Sequence, residues 1–155
     1  MNVTILYYTK TGHTLEAATA VAEGIRSAGS EAELVPIEDA VLESLADSAG
    51  LIVASPCWAG SITPSGVARP VAEVLDSLPP DCLSGKRCGG VAVHSTTGGK
   101  RTVKTLGRRL ADKGCTDYRA GPAAKAGSAL SLWKGPSVQP DDEERFRAYG
   151  ADFVA

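Results

Sequence analysis

Three threonines and a glycine crowd the run YYTKTGHT, residues 7–14, where an apolar stretch gives way to a helical pattern. Thr9, Thr11 and Thr14 supply hydroxyl donors, and Gly12 lets backbone amides turn inward at the first turn of a helix. A helix N-terminus carries unpaired amides and partial positive charge, so it is a natural seat for a phosphate. Hydroxyls and amides in this arrangement, with Lys10 and His13 between them, suit a dianionic monoester held by hydrogen bonds. Dinucleotide and nucleoside-triphosphate fingerprints are absent. There is no G-x-G-x-x-G, and Gly99-Lys100 lacks both the upstream glycine and a following Ser or Thr. A plainer reading is a helix cap made by Thr11 or Thr14 alone. Three hydroxyls at this spacing exceed what a cap needs.

Two further stretches carry residues of the right kind. ASPCWAGSITP, residues 54–64, ends an apolar run in Ser-Pro and then presents Cys57, Trp58, Ala59 and Gly60. A tryptophan flanked by small residues at a strand end is well placed to lie against a flat ring, its alternative being a partly buried anchor of the loop. Cys57 has no basic neighbour in sequence to make it a reactive thiol. HSTTGGKRT, residues 94–102, offers Ser95, Thr96, Thr97, Gly98 and Gly99, whose small side chains permit close backbone approach to a ligand. His94 is a catalytic acid or a hydrogen-bonded structural residue, and the second reading is preferred. No residue is singled out as catalytic.

The elements that must position these stretches alternate along the chain. Strands are expected at residues 3–8, 33–37, 51–55 and 90–94, with a weaker one near 116–121. Helices are expected from Leu15, Ala18, Ala22 and Ile25, stopped by Gly29, and from Val41, Leu42 and Leu45 on a short segment. A third opens at Pro64, carries Val67, Val71, Val74, Leu75 and Leu78, and closes at Pro79-Pro80. A fourth carries Val103, Leu106 and Leu110 up to Gly114. After a loop containing Trp133 comes a last helix with Phe146, Tyr149 and Phe153. Five strands alternating with five helices predict an α/β three-layer sandwich, a parallel sheet covered on both faces. Ligands in such sheets bind outside the carboxyl ends of the strands.

At 155 residues the chain is expected to be one domain, 1–155, with 43% hydrophobic and 22% charged residues, as in an ordinary globule. Met1 runs straight into an apolar segment with no basic leader, and no apolar stretch reaches the roughly 18 residues of a membrane span, so neither secretion nor a membrane is expected. Four cysteines without a C-x-x-C pair, and only two histidines, predict no metal site and a cytoplasmic setting. The net charge of −2 hides an asymmetry. Residues 1–50 hold eight acids against Lys10 and Arg26, while residues 86–119 hold nine basic residues against Asp112 and Asp117. Lys100, Arg101, Lys104, Arg108, Arg109 and Lys113 crowd the fourth helix, residues 100–113. This marks a docking surface for an acidic partner or a nucleotide phosphate, or merely a solvated face. Nucleic acid is not expected.

These residues together resemble the flavodoxin-like family of FMN proteins, in its short-chain form, over nearly the whole chain. YYTKTGHT resembles the family's phosphate loop, SPCWAGSITP its second loop, which lays an aromatic on the flavin, and HSTTGG its third. The resemblance implies a sheet order of 2-1-3-4-5 with FMN at the junction of strands one and three. It implies that residues 9–14 cradle the phosphate, that Trp58 covers one flavin face, and that backbone near Pro56, Cys57, Ala59, Gly60 and 95–99 meets its edges. In the family a residue beside the loop-two aromatic turns its carbonyl toward flavin N5 on reduction, and Gly60 resembles it. The third loop lacks the second aromatic of the acidic electron carriers. That departure leaves two functions open, and the one expected is electron transfer between partner proteins, because nothing in the sequence offers a nicotinamide dinucleotide site. The alternative is an NAD(P)H-dependent FMN enzyme reducing quinones or similar acceptors, akin to the tryptophan-repressor-binding-protein type. A module without cofactor is disfavoured by the intact first loop.

Overall fold

The computed structural model describes residues 1–57, 66–95, 97–127 and 137–155. Alternating β-branched and aliphatic runs form five strands: β1 (Asn2–Tyr7), β2 (Glu31–Pro36), β3 (Gly50–Cys57), β4 (Arg87–His94) and β5 (Asp117–Lys125). They make one sheet in the order β2-β1-β3-β4-β5, each neighbouring pair parallel. The connecting helices are α1 (His13–Ser27), α2 (Leu42–Asp47), α3 (Arg69–Ser77), α4 (Gly99–Ala111) and α5 (Pro140–Val154). This is the flavodoxin-like order expected from the sequence. None of the described helices is long and apolar enough to cross a membrane.

The central strands are largely apolar on both sides because both faces are covered. Along β1, Val3 and Ile5 point to α1 and α5, while Leu6 points to the side of α3 and α4. Along β3, Ile52 and Ala54 join the first layer, and Leu51 and Val53 the second. Phe146 and Phe153 of α5 close the first layer, and Val71, Leu75, Leu106 and Leu110 the second. Helices α1 and α5 meet backbone to backbone. A Cβ on Gly24 would lie 1.9 Å from the Arg147 carbonyl oxygen, and one on Gly150 would lie 2.1 Å from that of Val21.

Several expected boundaries move, each for a local reason. Strand β3 runs on through Pro56 and Cys57 instead of stopping at Ser55. Ala54 is the last residue paired with β1, so Pro56, two residues on and facing the same side, has no partner there to deprive of an N–H. The third helix does not carry Val67. That residue pairs antiparallel with Cys57, and the helix opens at Arg69 with Pro70 in its first turn; Pro64 lies outside the described residues. Val41 and Leu42 are half exposed, at 51% and 49%, and α2 buries only Leu45. Ile37 leaves β2 for a 3-10 turn, Ile37–Asp39. Strand β5 is longer than expected, with a bulge opposite Val91. Lys113 lies beyond the end of α4.

Candidate cofactor site at the carboxyl edge

Strands β1, β3 and β4 end side by side, which brings Thr9–Thr14, Pro56–Cys57 and His94–Gly99 to one edge of the sheet. In the first loop Gly12 is the residue that caps α1. Its φ is +94°, and no side chain caps the helix. The plain capping role for Thr11 or Thr14 therefore fails. Thr9 instead accepts the Gly12 amide on its Oγ1 at 2.9 Å, which locks the turn. Glu16 N is the first amide to reach an acceptor in the helix, Gly12 O at 3.0 Å. The amides before it point off the helix end. Thr11 and Lys10 are exposed, Thr14 is buried, and His13 is turned inward with its Nδ1 3.3 Å from Glu16 Oε1. The other Glu16 oxygen accepts the Val138 amide at 2.9 Å. The only acid in the first turn of α1 thus has both oxygens engaged by the protein.

The base of the second loop is closed by backbone. Cys57 bridges to Val67, and Ser55 Oγ accepts the Ala68 amide at 3.1 Å, so the chain on either side of residues 58–65 is held together. Trp58, Ala59 and Gly60 lie outside the described residues, as do Thr96 and Trp133.

The third loop is packed tightly. Gly98 caps α4 with φ +104°, and a Cβ there would lie 2.7 Å from Cys57 Sγ. A Cβ on Gly99 would lie 2.3 Å from His94 Nδ1. Cys57 Sγ lies 3.7 Å from the Thr97 carbonyl. Ser95 is half buried and Thr97 exposed. Thr102, not among the expected site residues, is fully buried with its Oγ1 3.2 Å from the carbonyls of both Gly66 and Gly98. It ties the returning second loop to the start of α4. Its place on the inward stripe with Val103 and Leu106 was the available signal.

His94 does not take the hydrogen-bonded role preferred from sequence. Its Nδ1 is buried and, among the described residues, has no hydrogen-bond partner. Burial, and then Lys125, hold the imidazole below its ordinary pKa, against a weaker pull from Asp142. The shift favours the neutral ring, and among the described residues Nδ1 has no partner through which to relay a proton. Burial likewise raises the thiol of Cys88, deep under α4, and keeps it protonated. Among the described residues no three His, Cys, Asp or Glu side chains gather as metal ligands would.

In a doubly wound sheet of this kind the carboxyl edge, here lined by an uncapped helix end and glycine-bearing loops, is where ligands are held. The sequence profile of the flavodoxin family matches residues 5–129, and the chain belongs to that family, whose cofactor is FMN. Among solved structures it is similar to the flavodoxin of Streptococcus pneumoniae TIGR4, at 17% identity, covering 99% of this chain and 98% of that one, with a TM-score of 0.76. It is also similar to a flavodoxin from the domain Archaea, at 16% identity, 99% and 96% coverage and a TM-score of 0.75. A third is a short-chain flavodoxin associated with a PDU bacterial microcompartment, at 17% identity, 99% and 97% coverage and a TM-score of 0.74. No curated protein matches the sequence.

Proposed function

We propose that this chain holds FMN at the carboxyl edge and carries electrons between partner proteins in the cytoplasm. The observation that carries the reading is the mouth of α1. A left-handed glycine, no side-chain cap and a glutamate with both oxygens engaged leave first-turn amides for a phosphate. In this reading the amides of Thr14 and Leu15 and the Thr11 hydroxyl take the phosphate oxygens, while Thr9 holds the turn through Gly12. Lys10 adds positive charge at the rim, and His13 contributes only its backbone. Backbone of Pro56, Cys57 and Thr97–Gly99 meets the ring edges, with Ala59, Gly60, Ser95 and Thr96 beside them, and Trp58 takes one face. The flavin, when bound, supplies reversible one-electron chemistry. The protein holds it, excludes water and sets its exposure.

The test has two arms. FMN and riboflavin are titrated into the apo-protein. Hydrogen bonds to a charged group contribute about 1.5–3 kcal/mol each, so FMN should bind about a hundredfold or more tighter. Equal affinities overturn the phosphate site. The FMN-loaded protein is then mixed with NADH or NADPH without oxygen, and separately reduced by light. Reduction by light in two resolved one-electron steps, with no response to either nicotinamide, is the result expected of a carrier. Rapid two-electron bleaching by a nicotinamide overturns it in favour of the quinone-reductase alternative.

A further inference from the structure

We infer that the groove between α4 and β5 is the docking site for an acidic segment of the protein that exchanges electrons with this one. The proposal rests on the carrier reading. The groove has a volume of about 520 Å³, with Lys100, Lys104 and Arg108 on one rim and Gly107, Tyr118 and Ala120 within it. Residues four apart on a helix share a face at about 6 Å spacing, so the three cations form one stripe along the groove.

That stripe is uncompensated. Lys100, Arg101, Lys104 and Arg108 are exposed, and among the described residues none is paired with a carboxylate. By contrast Arg69, Arg87, Arg109, Arg119, Arg145 and Arg147 all are. The surface is thus smaller than the basic run suggests. Arg109 is held by Asp76 Oδ1 at 2.6 Å, and Lys113 donates to the Asp76 carbonyl at 3.1 Å, so both serve the α3–α4 contact. Lys100 and Arg101 stand in the first turn of α4, where the helix dipole disfavours cations. Like charges at Lys100, Lys104 and Arg108 repel along the helix. An arrangement that opposes its own helix twice is relieved only by an anion from outside.

Among the described residues no carboxylate of the chain pairs with that stripe. The acids Glu31, Glu33, Glu38, Asp39 and Glu43 lie on β2 and the segment after it, at the opposite edge of the sheet from β5. A second copy bringing that edge to this one would join head to tail and leave the contact open-ended, so a different protein is the occupant. Binding is side chain to side chain. Pro122 has no N–H and the bulge beside it breaks the ladder, which blunts β5 against an added strand. The floor is shallow and firm. Gly107 lies so close to the Tyr118 ring that a Cβ there would be 2.6 Å from it, and the Tyr118 hydroxyl donates to the Val103 carbonyl. The groove also starts next to Gly98 and Gly99, so a partner seated in it borders the proposed flavin edge.

The experiment is amide chemical-shift mapping on the FMN-loaded protein with three probes. These are an alanine-based helical peptide with glutamate at every fourth position, its lysine counterpart, and adenosine 2′,5′-bisphosphate. The glutamate peptide should shift Lys104, Gly107, Arg108, Tyr118 and Ala120, and the lysine peptide should not. Changing Lys104→Glu with Arg108→Glu should weaken the glutamate peptide about tenfold at low salt, the effect shrinking below about twofold near 0.5 M. Arg69→Glu with Arg145→Glu, the same change in net charge elsewhere, should leave it within about twofold. Shifts outside the groove, or equal loss in both double variants, overturn the proposal. Tighter binding of the bisphosphate than of the peptide at these amides overturns it in favour of a nucleotide site. Bound flavin is read separately from its absorbance. Groove shifts in a protein that retains no FMN leave the surface standing and remove the carrier reading.

Discussion

Helices α1 and α4 both start at the carboxyl edge from a left-handed glycine, Gly12 at φ +94° and Gly98 at +104°, and neither has a side-chain cap. Their sequences, TKTGHT and STTGGKRT, are near relatives in composition. Their surroundings differ. Around Gly12 one hydroxyl locks the turn, one threonine is exposed, and the nearest acid is engaged by the protein. Around Gly98 and Gly99 the space is filled by Cys57, His94 and Thr102. On the proposed reading the α1 end is open to a phosphate, while the α4 end is a packed joint whose backbone only borders the flavin ring. Composition alone does not distinguish the two.

The largest effect expected from this contrast is at Gly99. Gly99→Ala forces a Cβ to 2.3 Å from His94 Nδ1 and 2.6 Å from Ala123 Cβ. It should destabilise the protein by about 3 kcal/mol, lowering Tm by roughly 6–12 °C in a thermal melt. A melt within a degree of the parent would mean the joint is loose. Next comes Thr11→Ala, exposed and on the open side. It should leave the melt of the apo-protein unchanged while weakening FMN about tenfold and riboflavin hardly at all. Loss of both ligands together would place Thr11 on the ring, not the phosphate. Thr102→Val removes a buried hydroxyl from the closed side and should cost about 1–2 kcal/mol in urea denaturation. The ratio of FMN to riboflavin affinity should not change.

The smallest effect is a pH dependence. Burial holds the His94 imidazole below its ordinary 6.5, with Lys125 adding to the shift. The unfolded chain therefore takes up a proton that the folded chain refuses. Stability from this group is full above about pH 6.5 and falls as the solution is made more acid than that. Urea midpoints at about pH 7.5 and 5.5 should differ less in His94→Gln than in the parent. An unchanged difference would show that other groups set the acid limb.

The alternation of five strands with five helices was legible because it rests on period and on residue type, and the sheet order followed from the family resemblance. Val3, Ile5 and Leu6 mark a strand buried on both faces, and Val103, Leu106 and Leu110 mark a helix by spacing alone. What stayed hidden depended on neighbours. Ser-Pro reads as a strand end, yet Pro56 stays in β3 because β1 has already finished beside it. The third helix was expected from Pro64 with Val67 inside it, but Val67 is committed to Cys57 and the helix begins at Arg69. Thr102 looks like an ordinary helical threonine until Gly66 and Gly98 arrive from elsewhere in the chain. The basic run appeared as six equal charges, and only Asp76 shows that two of them belong to the scaffold.

The backbone closure at the foot of the second loop has a consequence for how such a protein can change over time. With Cys57 bridged to Val67 and Ser55 holding Ala68, the scaffold is complete before residues 58–65 are counted. Loop-closure cost rises so slowly that doubling the length of that segment would add only about 0.6 kcal/mol. The sheet, the core and the first loop therefore tolerate a change in the length of that segment, and the proposed flavin contact of Trp58 is what would restrain its side chains.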